Sequence, residues 1–136
     1  MKFEKTQRTP LVEIGSNSCL IKGECYPENI AEWSGPVLDA LKRTLADANA
    51  EFNVDIELYY FNSSSAKFLF DFFEFLEESS EEGKKIRINW RYRAEDDTML
   101  EAGEDFQEDI TASEFNLVIV EYADEDQGRG WSQKNK

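Results

Sequence analysis

Hydrophobic and polar positions follow two periodicities along the chain, and these predict strands separated by helices. Strict alternation or short apolar runs predict strands at 11–14, 19–23, 52–61, 86–91 and 115–120. Apolar spacings of three and four predict a helix that opens near Pro27, is interrupted at Gly35-Pro36 and continues to about Ala48, and further helices at 66–80 and around 97–106. The order β-β-α-β-α-β-α-β predicts a single α/β domain, with a mixed sheet of about five strands and three to four helices.

Several local features sharpen this prediction. Turn residues between the first two strands predict a hairpin, and Gly83 is a predicted helix stop. Gly103 is expected to kink the third helix or end it early. The helix at 66–80 carries Phe residues beyond one face, which predicts burial over much of its circumference. Strand 52–61 becomes apolar on both faces at its end, which predicts a covered sheet there.

The predicted domain occupies residues 11–122. Residues 1–10 are polar and are expected to form a loose lead-in. Residues 123–136 are acidic and then polar, and are expected to form a tail in which Trp131 could dock.

Composition excludes several classes of function. The net charge of −14 argues against nucleic-acid binding and against attachment to anionic membranes, since both require basic surfaces. The chain has no histidine, no recognisable catalytic or cofactor-binding motif, no apolar leader and no run long enough to span a membrane. Cys19 and Cys25 are expected to be isolated reduced thiols. We therefore expect a cytoplasmic protein that is not an enzyme and holds no cofactor.

Two further functions remain open. The acidic region from Glu95 to Asp109 could form a small-ligand or metal-binding site, although its spacing does not match an EF-hand loop. An unusual hydrolase would require a pocket and a base converging on Ser63.

The segment with the most chemical interest is the serine run Ser63-Ser64-Ser65, which follows Asn62 between a strand and a helix. One Asn or Ser side chain is enough to cap a helix N-terminus. A hydroxyl at this position is also where backbone N–H groups and the helix dipole would favour a phosphate. The segment therefore predicts either a simple cap or a phosphorylation switch, and these residue types alone leave both open.

Three segments resemble one bacterial family. Residues 23–29 (GECYPEN) resemble the G-x-S-Y-P-E-N segment of SiaC-type regulatory phosphoproteins, and residues 58–67 (LYYFNSSSAK) resemble that family's L-x-Y-x-N-T-S-S-x-K segment. The block from Trp90 to Phe106 resembles the family's W-x-Y…D-D-x-M…G-x-x-F pattern. The three segments occur in the family's order.

This resemblance implies a phosphorylation-controlled signalling adaptor. Its partners would be a protein kinase, a PP2C-type phosphatase and an output protein such as the diguanylate cyclase of a biofilm pathway, and its fold would resemble the anti-sigma factor antagonist (STAS-like) architecture. The phosphoacceptor falls on Ser63, with Ser64 and Ser65 as weaker candidates. The implied partner-binding residues are Tyr26, Glu28, Asn29, Asn62, Ser64, Ser65 and Lys67.

Two residues depart from the family pattern: Ser63 stands where the family usually has Thr, and Cys25 stands where it usually has Ser. We further expect the helix starts near Pro27 and Ser63 to lie on the same edge of the sheet and to form one partner surface.

Overall fold

The structure is a computed structural model that describes residues 1–121, and it contains one six-stranded sheet with three helices. The strands are β1 (Lys2–Phe3), β2 (Leu11–Gly15), β3 (Ser18–Cys25), β4 (Phe52–Phe61), β5 (Ile86–Arg93) and β6 (Glu114–Val120). The helices are α1 (Ile30–Asp47), α2 (Ser63–Glu81) and α3 (Asp97–Glu108). The predicted α/β class and mixed sheet are confirmed.

The strands lie side by side in sequence order. The first three pair antiparallel, and the β2–β3 hairpin is formed as predicted. From β3 to β6 every pair is parallel, because a helix carries the chain back between successive strands. As a result, the carboxyl ends of β3, β4, β5 and β6 all meet at one edge of the sheet.

A single hydrophobic core fills the space between the helices and one face of the sheet. Alternate residues of each strand enter this core, and cross-strand neighbours such as Val54, Ile88 and Phe115 share it with buried residues of all three helices. The opposite face is lined mainly by polar side chains such as Asp55, Asn89 and Asn116, which hydrogen-bond across the strands. The helices therefore cover only one side of the sheet.

The prediction that β4 enters a sheet covered on both faces is wrong, and a bulge is the reason. Opposite β4, Gly23 pairs with Leu58 but the next residue pairs with Tyr60, so Tyr59 is the extra residue. A bulge reverses which side chains face the core. Phe61 consequently packs against Trp90 on the core side, whereas Tyr60 is exposed.

Two predicted helix interruptions are also absent. Helix α1 runs without a break through Pro36, which forgoes one backbone hydrogen bond on an exposed position. Helix α3 runs through Gly103, which is buried against the sheet rather than marking a kink or an end. Gly83, by contrast, follows the end of α2 with a φ of 111°, as expected of a glycine helix stop.

Helix α2 is buried over a smaller part of its circumference than the sequence predicts. The buried face of α2 consists of Ser65, Phe68, Leu69, Phe72, Phe73, Leu76 and Ser79. Phe70 lies outside that face and is 53% exposed, so the helix is not buried over most of its circumference.

The N-terminal residues are more ordered than the predicted loose lead-in. Strand β1 pairs with β2, and the backbone groups of Met1 and Ile14 exchange hydrogen bonds. Thr9 and Pro10 are buried. The two-residue strand was missed because it is too short to show a periodicity. The predicted tail at 123–136 and the docking of Trp131 lie outside the described residues.

Candidate functional site

Two helix starts meet at the carboxyl edge of the sheet. Because β3 and β4 are parallel neighbours, the segments that follow them leave the sheet side by side. The Asn62 backbone N–H donates to the carbonyl oxygen of Cys25 at 3.3 Å, and the rings of Tyr26 and Tyr60 meet edge to face at 5.7 Å. The start of α1 and the start of α2 thus lie on the same edge, as expected. We call this region, formed by residues 26–29 and 60–67, the serine edge.

The cap of α2 is Asn62. Its side-chain oxygen accepts a hydrogen bond from the backbone N–H of Ser65 at 2.9 Å, and its carbonyl accepts from Ala66 at 2.9 Å. Since Asn62 does the capping, the hydroxyls of Ser63 and Ser64 are not needed for it. Both serines are exposed at the first turn of the helix.

Ser65 does not fit the predicted role of a phosphoacceptor or partner contact. It faces inward, is 0% exposed, and its hydroxyl lacks an ordinary hydrogen-bond partner in the described part of the chain. Its neighbour is the Cys25 thiol, and sulfur is a weak hydrogen-bonding group. Burial raises the pKa of this thiol, and the adjacent Ser65 hydroxyl lowers it by less. Of the three serines, only Ser63 and Ser64 are therefore open to an enzyme.

The free thiols lie in different surroundings, although both are buried. Burial, together with the nearby charge of Asp55, raises the pKa of Cys19 to about 12. Both thiols therefore stay protonated and unreactive near neutral pH.

This difference predicts opposite effects of two matched substitutions. Cys25→Ser is expected to keep the free energy of unfolding unchanged or raise it by up to about 1 kcal/mol, because the new hydroxyl gives Ser65 a hydrogen-bond partner. Cys19→Ser is expected to lower it by about 1–3 kcal/mol, because it buries a hydroxyl among apolar side chains. Urea denaturation of both variants would measure this, and an equal loss in both would contradict the account of Ser65.

The start of α1 supplies the second half of the serine edge. Asn29 caps this helix through a hydrogen bond from the Glu32 backbone N–H at 3.2 Å, and both Asn29 and Glu28 are exposed. Tyr26 is partly buried. Its backbone N–H donates to the Arg8 carbonyl at 2.7 Å, and the Arg8 guanidinium lies 6.0 Å from the centre of its ring.

Two features of this edge could not be predicted from the sequence: the contact of Arg8 with Tyr26 and the exposure of Tyr60. Arg8 lies in the segment that was expected to be loose, and its approach to Tyr26 depends on that segment's tertiary path. Tyr60 is 49% exposed only because the bulge at Tyr59 turns it outward. An apolar run of three residues gives no signal from which this reversal could be read.

The charges at the serine edge suit an added anion. Lys67 is exposed and lies one helical turn after Ser63, so the two side chains share a face of α2. The first turn of α2 contains no acidic residue. The helix N-terminus adds partial positive charge at the same place.

The two other candidate functions find little support in the geometry. Across residues 1–121, no group of three or more Asp, Glu or Cys side chains is placed to hold a metal ion, which leaves the region from Glu95 to Asp109 without a metal-binding geometry. A cavity of about 540 Å³ lies between α2 and α3, and Ser63 is not among the residues that line it. Within the same described residues, no helix combines the length and hydropathy needed to cross a bilayer.

Comparison with known proteins finds relatives and solved structures that share this fold. An uncharacterized protein of Pseudomonas aeruginosa (strain UCBPP-PA14) is 34% identical over 108 residues, which are 78% of this chain and 86% of that protein. The activator SiaC, in its crystal structure with the diguanylate cyclase SiaD from P. aeruginosa, is similar with a TM-score of 0.83 and 30% identity, over 88% of this chain and 99% of that one. Apo-SiaC from the same organism gives a TM-score of 0.77 and 30% identity, over 87% and 97% of the two chains.

These structures match the α/β fold described above, whereas the likeness to anti-sigma factor antagonists stays a prediction. The model of the SiaC family regulatory phosphoproteins matches residues 3–120, nearly all of the described chain. This chain therefore belongs to the SiaC family of regulatory phosphoproteins.

Proposed function

We propose that this protein is a non-enzymatic signalling adaptor that is switched by phosphorylation of Ser63. The observation that carries the proposal is that the residues at the start of α2 have different structural roles. Asn62 caps the helix and Ser65 is buried, so Ser63 and Ser64 present hydroxyls that the fold does not need, at the edge of the sheet. Of these two, Ser63 stands where the family segment has its phosphoacceptor. The family's description as regulatory phosphoproteins supports the same role.

Phosphorylation at Ser63 would change the serine edge without refolding the domain. A phosphate adds about −1.5 to −2 charges and three acceptor oxygens. The first N–H groups of a helix have no intrahelical acceptor, and Asn62 occupies only one of them. The remaining N–H groups and Lys67 would hold the phosphate. The serine edge, in which the charges of Glu28 and Lys67 balance, would then become strongly negative toward a partner.

The proposed partners are a protein kinase, a PP2C-type phosphatase and an output protein such as a diguanylate cyclase. The support for the last is the similarity to SiaC, which is described as the activator of the diguanylate cyclase SiaD. We propose that the adaptor acts in the cytoplasm, in cyclic-di-GMP signalling of the kind that controls biofilms. Its partners would contact Tyr26, Glu28, Asn29, Asn62, Ser64 and Lys67, together with Tyr60.

Mass spectrometry of the protein isolated from its native cells tests the acceptor directly. The wild type and Ser64→Ala are expected to carry phosphate on Ser63, whereas Ser63→Ala should lose more than nine-tenths of the phosphorylated fraction. Both serines are exposed, so we expect the melting temperatures of the two variants to stay within about 3 °C of the wild type. If the Ser63→Ala variant still carries phosphate elsewhere in the serine run, the assignment to Ser63 is refuted.

A further inference from the structure

A second surface feature runs along α2 from Phe70 onward, beside the C-terminal end of α3 and the residues that follow it. It is a groove of about 540 Å³. The lining residues are Phe70, Asp71, Phe73, Glu74, Glu77, Glu78, Glu81, Phe106, Asp109 and Ile110. We call it the α2–α3 groove.

The apolar part of the α2–α3 groove contains an exposed aromatic side chain. Phe70 is 53% exposed, and its ring meets that of Phe106 edge to face at 5.1 Å. The ring of Phe73 also packs against that of Phe106, with the ring centres 5.0 Å apart. A large aromatic ring at the mouth of a groove with an aromatic floor is the kind of anchor that protein interfaces use.

Every charged residue that lines the groove is acidic. Six of the ten lining residues are carboxylates and none is Lys or Arg. One of the six carboxylates, that of Glu77, already makes hydrogen bonds within the protein. It accepts them from the backbone N–H groups of Thr111, Ala112 and Ser113. These bonds fix the loop before β6. These bonds outweigh the effect of its burial and keep its pKa below the ordinary value. Within residues 1–121, the side chains of the other five carboxylates make no hydrogen bond or ion pair that would compete with a cationic ligand. They belong to Asp71, Glu74, Glu78, Glu81 and Asp109.

We propose that the α2–α3 groove is a docking site for a basic amphipathic helix of a partner protein. A groove between two helices accepts a third helix through apolar side chains spaced three and four residues apart. Those side chains would pack on Phe70 and Phe106, while Lys or Arg on the flanks would face the carboxylates. Complementary charge would steer the approach and set its orientation.

This docking site is separate from the proposed phosphoacceptor. Phe70 lies seven residues after Ser63 on the same face of α2, which is about 10 Å along the helix axis. The groove neither contains Ser63 nor requires its modification. The inference goes beyond the proposed function and stands without it.

Fluorescence polarisation with a synthetic peptide tests the proposal. The probe is a fluorescein-labelled 14-residue peptide with Leu at helical spacing and Lys at the other positions, and the comparison peptide has Glu in place of each Lys. We expect the full-length protein to bind the Lys peptide at least tenfold more tightly than the Glu peptide.

Paired variants separate a built site from general attraction to an acidic protein. Phe70→Ser is expected to weaken binding of the Lys peptide at least fivefold, whereas Ile119→Ser, at an equally exposed apolar position outside the groove, should change it less than twofold. The double variant Glu74→Lys and Glu78→Lys should weaken it at least tenfold. The double variant Glu101→Lys and Glu104→Lys makes the same charge change on exposed positions of α3 that do not line the groove, and should weaken it less than threefold.

Three outcomes would overturn the proposal. Equal weakening by the groove and control variants would mean that binding follows net charge alone. Failure of the Lys peptide to bind would remove the site. A tenfold gain in affinity on Trp131→Ala would assign the groove to the chain's own C-terminal residues. Ser63→Ala should leave the affinity within twofold of the wild type, so failure of this proposal leaves the phosphorylation switch untouched. Thermal denaturation would establish that each variant is folded.

Discussion

Gly103→Ala is expected to lower the free energy of unfolding by about 2–3 kcal/mol, although it places a good helix former inside a helix. A Cβ at this position would lie 2.5 Å from Cδ1 and 2.8 Å from Nε1 of Trp90, and 2.7 Å from Cδ2 of Leu117. Overpacking a core typically costs about 1–3 kcal/mol and occasionally more. We expect a cost of about 3–4 kcal/mol here, because two of the three contacts are with the rigid, buried indole of Trp90. The gain of about 1 kcal/mol in helix propensity offsets only part of that cost.

Gly35→Ala is the matched control, since among residues 1–121 Gly35 is the other glycine inside a helix. A Cβ there would meet nothing within 4 Å. We expect its free energy of unfolding to remain within about 1 kcal/mol of the wild type, because the gain in propensity is opposed by the restriction that Pro36 places on the preceding residue. Urea denaturation of both variants measures the difference, and equal stabilities would show that α3 does not approach the sheet as closely as described.

Trp90→Phe is the second substitution expected to have a large effect, lowering the free energy of unfolding by about 2–4 kcal/mol. Trp90 is 1% exposed, and its indole N–H donates to the carbonyl oxygen of Met99 at 2.9 Å. Phe leaves that buried carbonyl without its donor and leaves a void among the surrounding rings. Trp33→Phe, at a partly buried ring that packs edge to face on Phe68, should cost less than about 1.5 kcal/mol.

Combining the two core substitutions tests whether the close approach is the cause of both effects. The atoms that a Cβ at residue 103 would strike belong mainly to the five-membered ring of Trp90, which Phe lacks. The double variant should therefore lose at least about 1 kcal/mol less than the sum of the two single losses. Strict additivity would mean that Gly103→Ala destabilises the protein through Leu117 or the backbone instead.

The course of α3 shows what kind of information the sequence lacks. Its pattern predicts a short acidic helix that carries Met99, Leu100 and Phe106; in the structure Met99 and Phe106 are buried and Leu100 is partly buried. The role of Gly103 could not be predicted, because the same residue type marks a kink, a helix end or a close contact. Only the position of Trp90 on β5 decides which of these applies.

At the serine edge, too, some features could be predicted from the sequence and others depend on the tertiary structure. Residue types predict a helix cap at Asn62 or Ser63, and the structure shows that the cap is Asn62. Which of the three serines faces inward depends on how α2 packs against the sheet, and so does the pairing of Ser65 with Cys25. The exposure of Tyr60 follows from a bulge that the apolar run conceals.

By itself, the sequence determined the α/β class, the order of the main elements and the family, because periodicity and short motifs are local properties of the chain. Tertiary structure alone decided that one face of the sheet stays open, that β1 pairs with β2, that α1 passes through Pro36, and that Ser63 and Ser64 are accessible while Ser65 is not. Each of these depends on contacts between residues far apart in the chain, and such contacts leave no local periodicity from which they could be read.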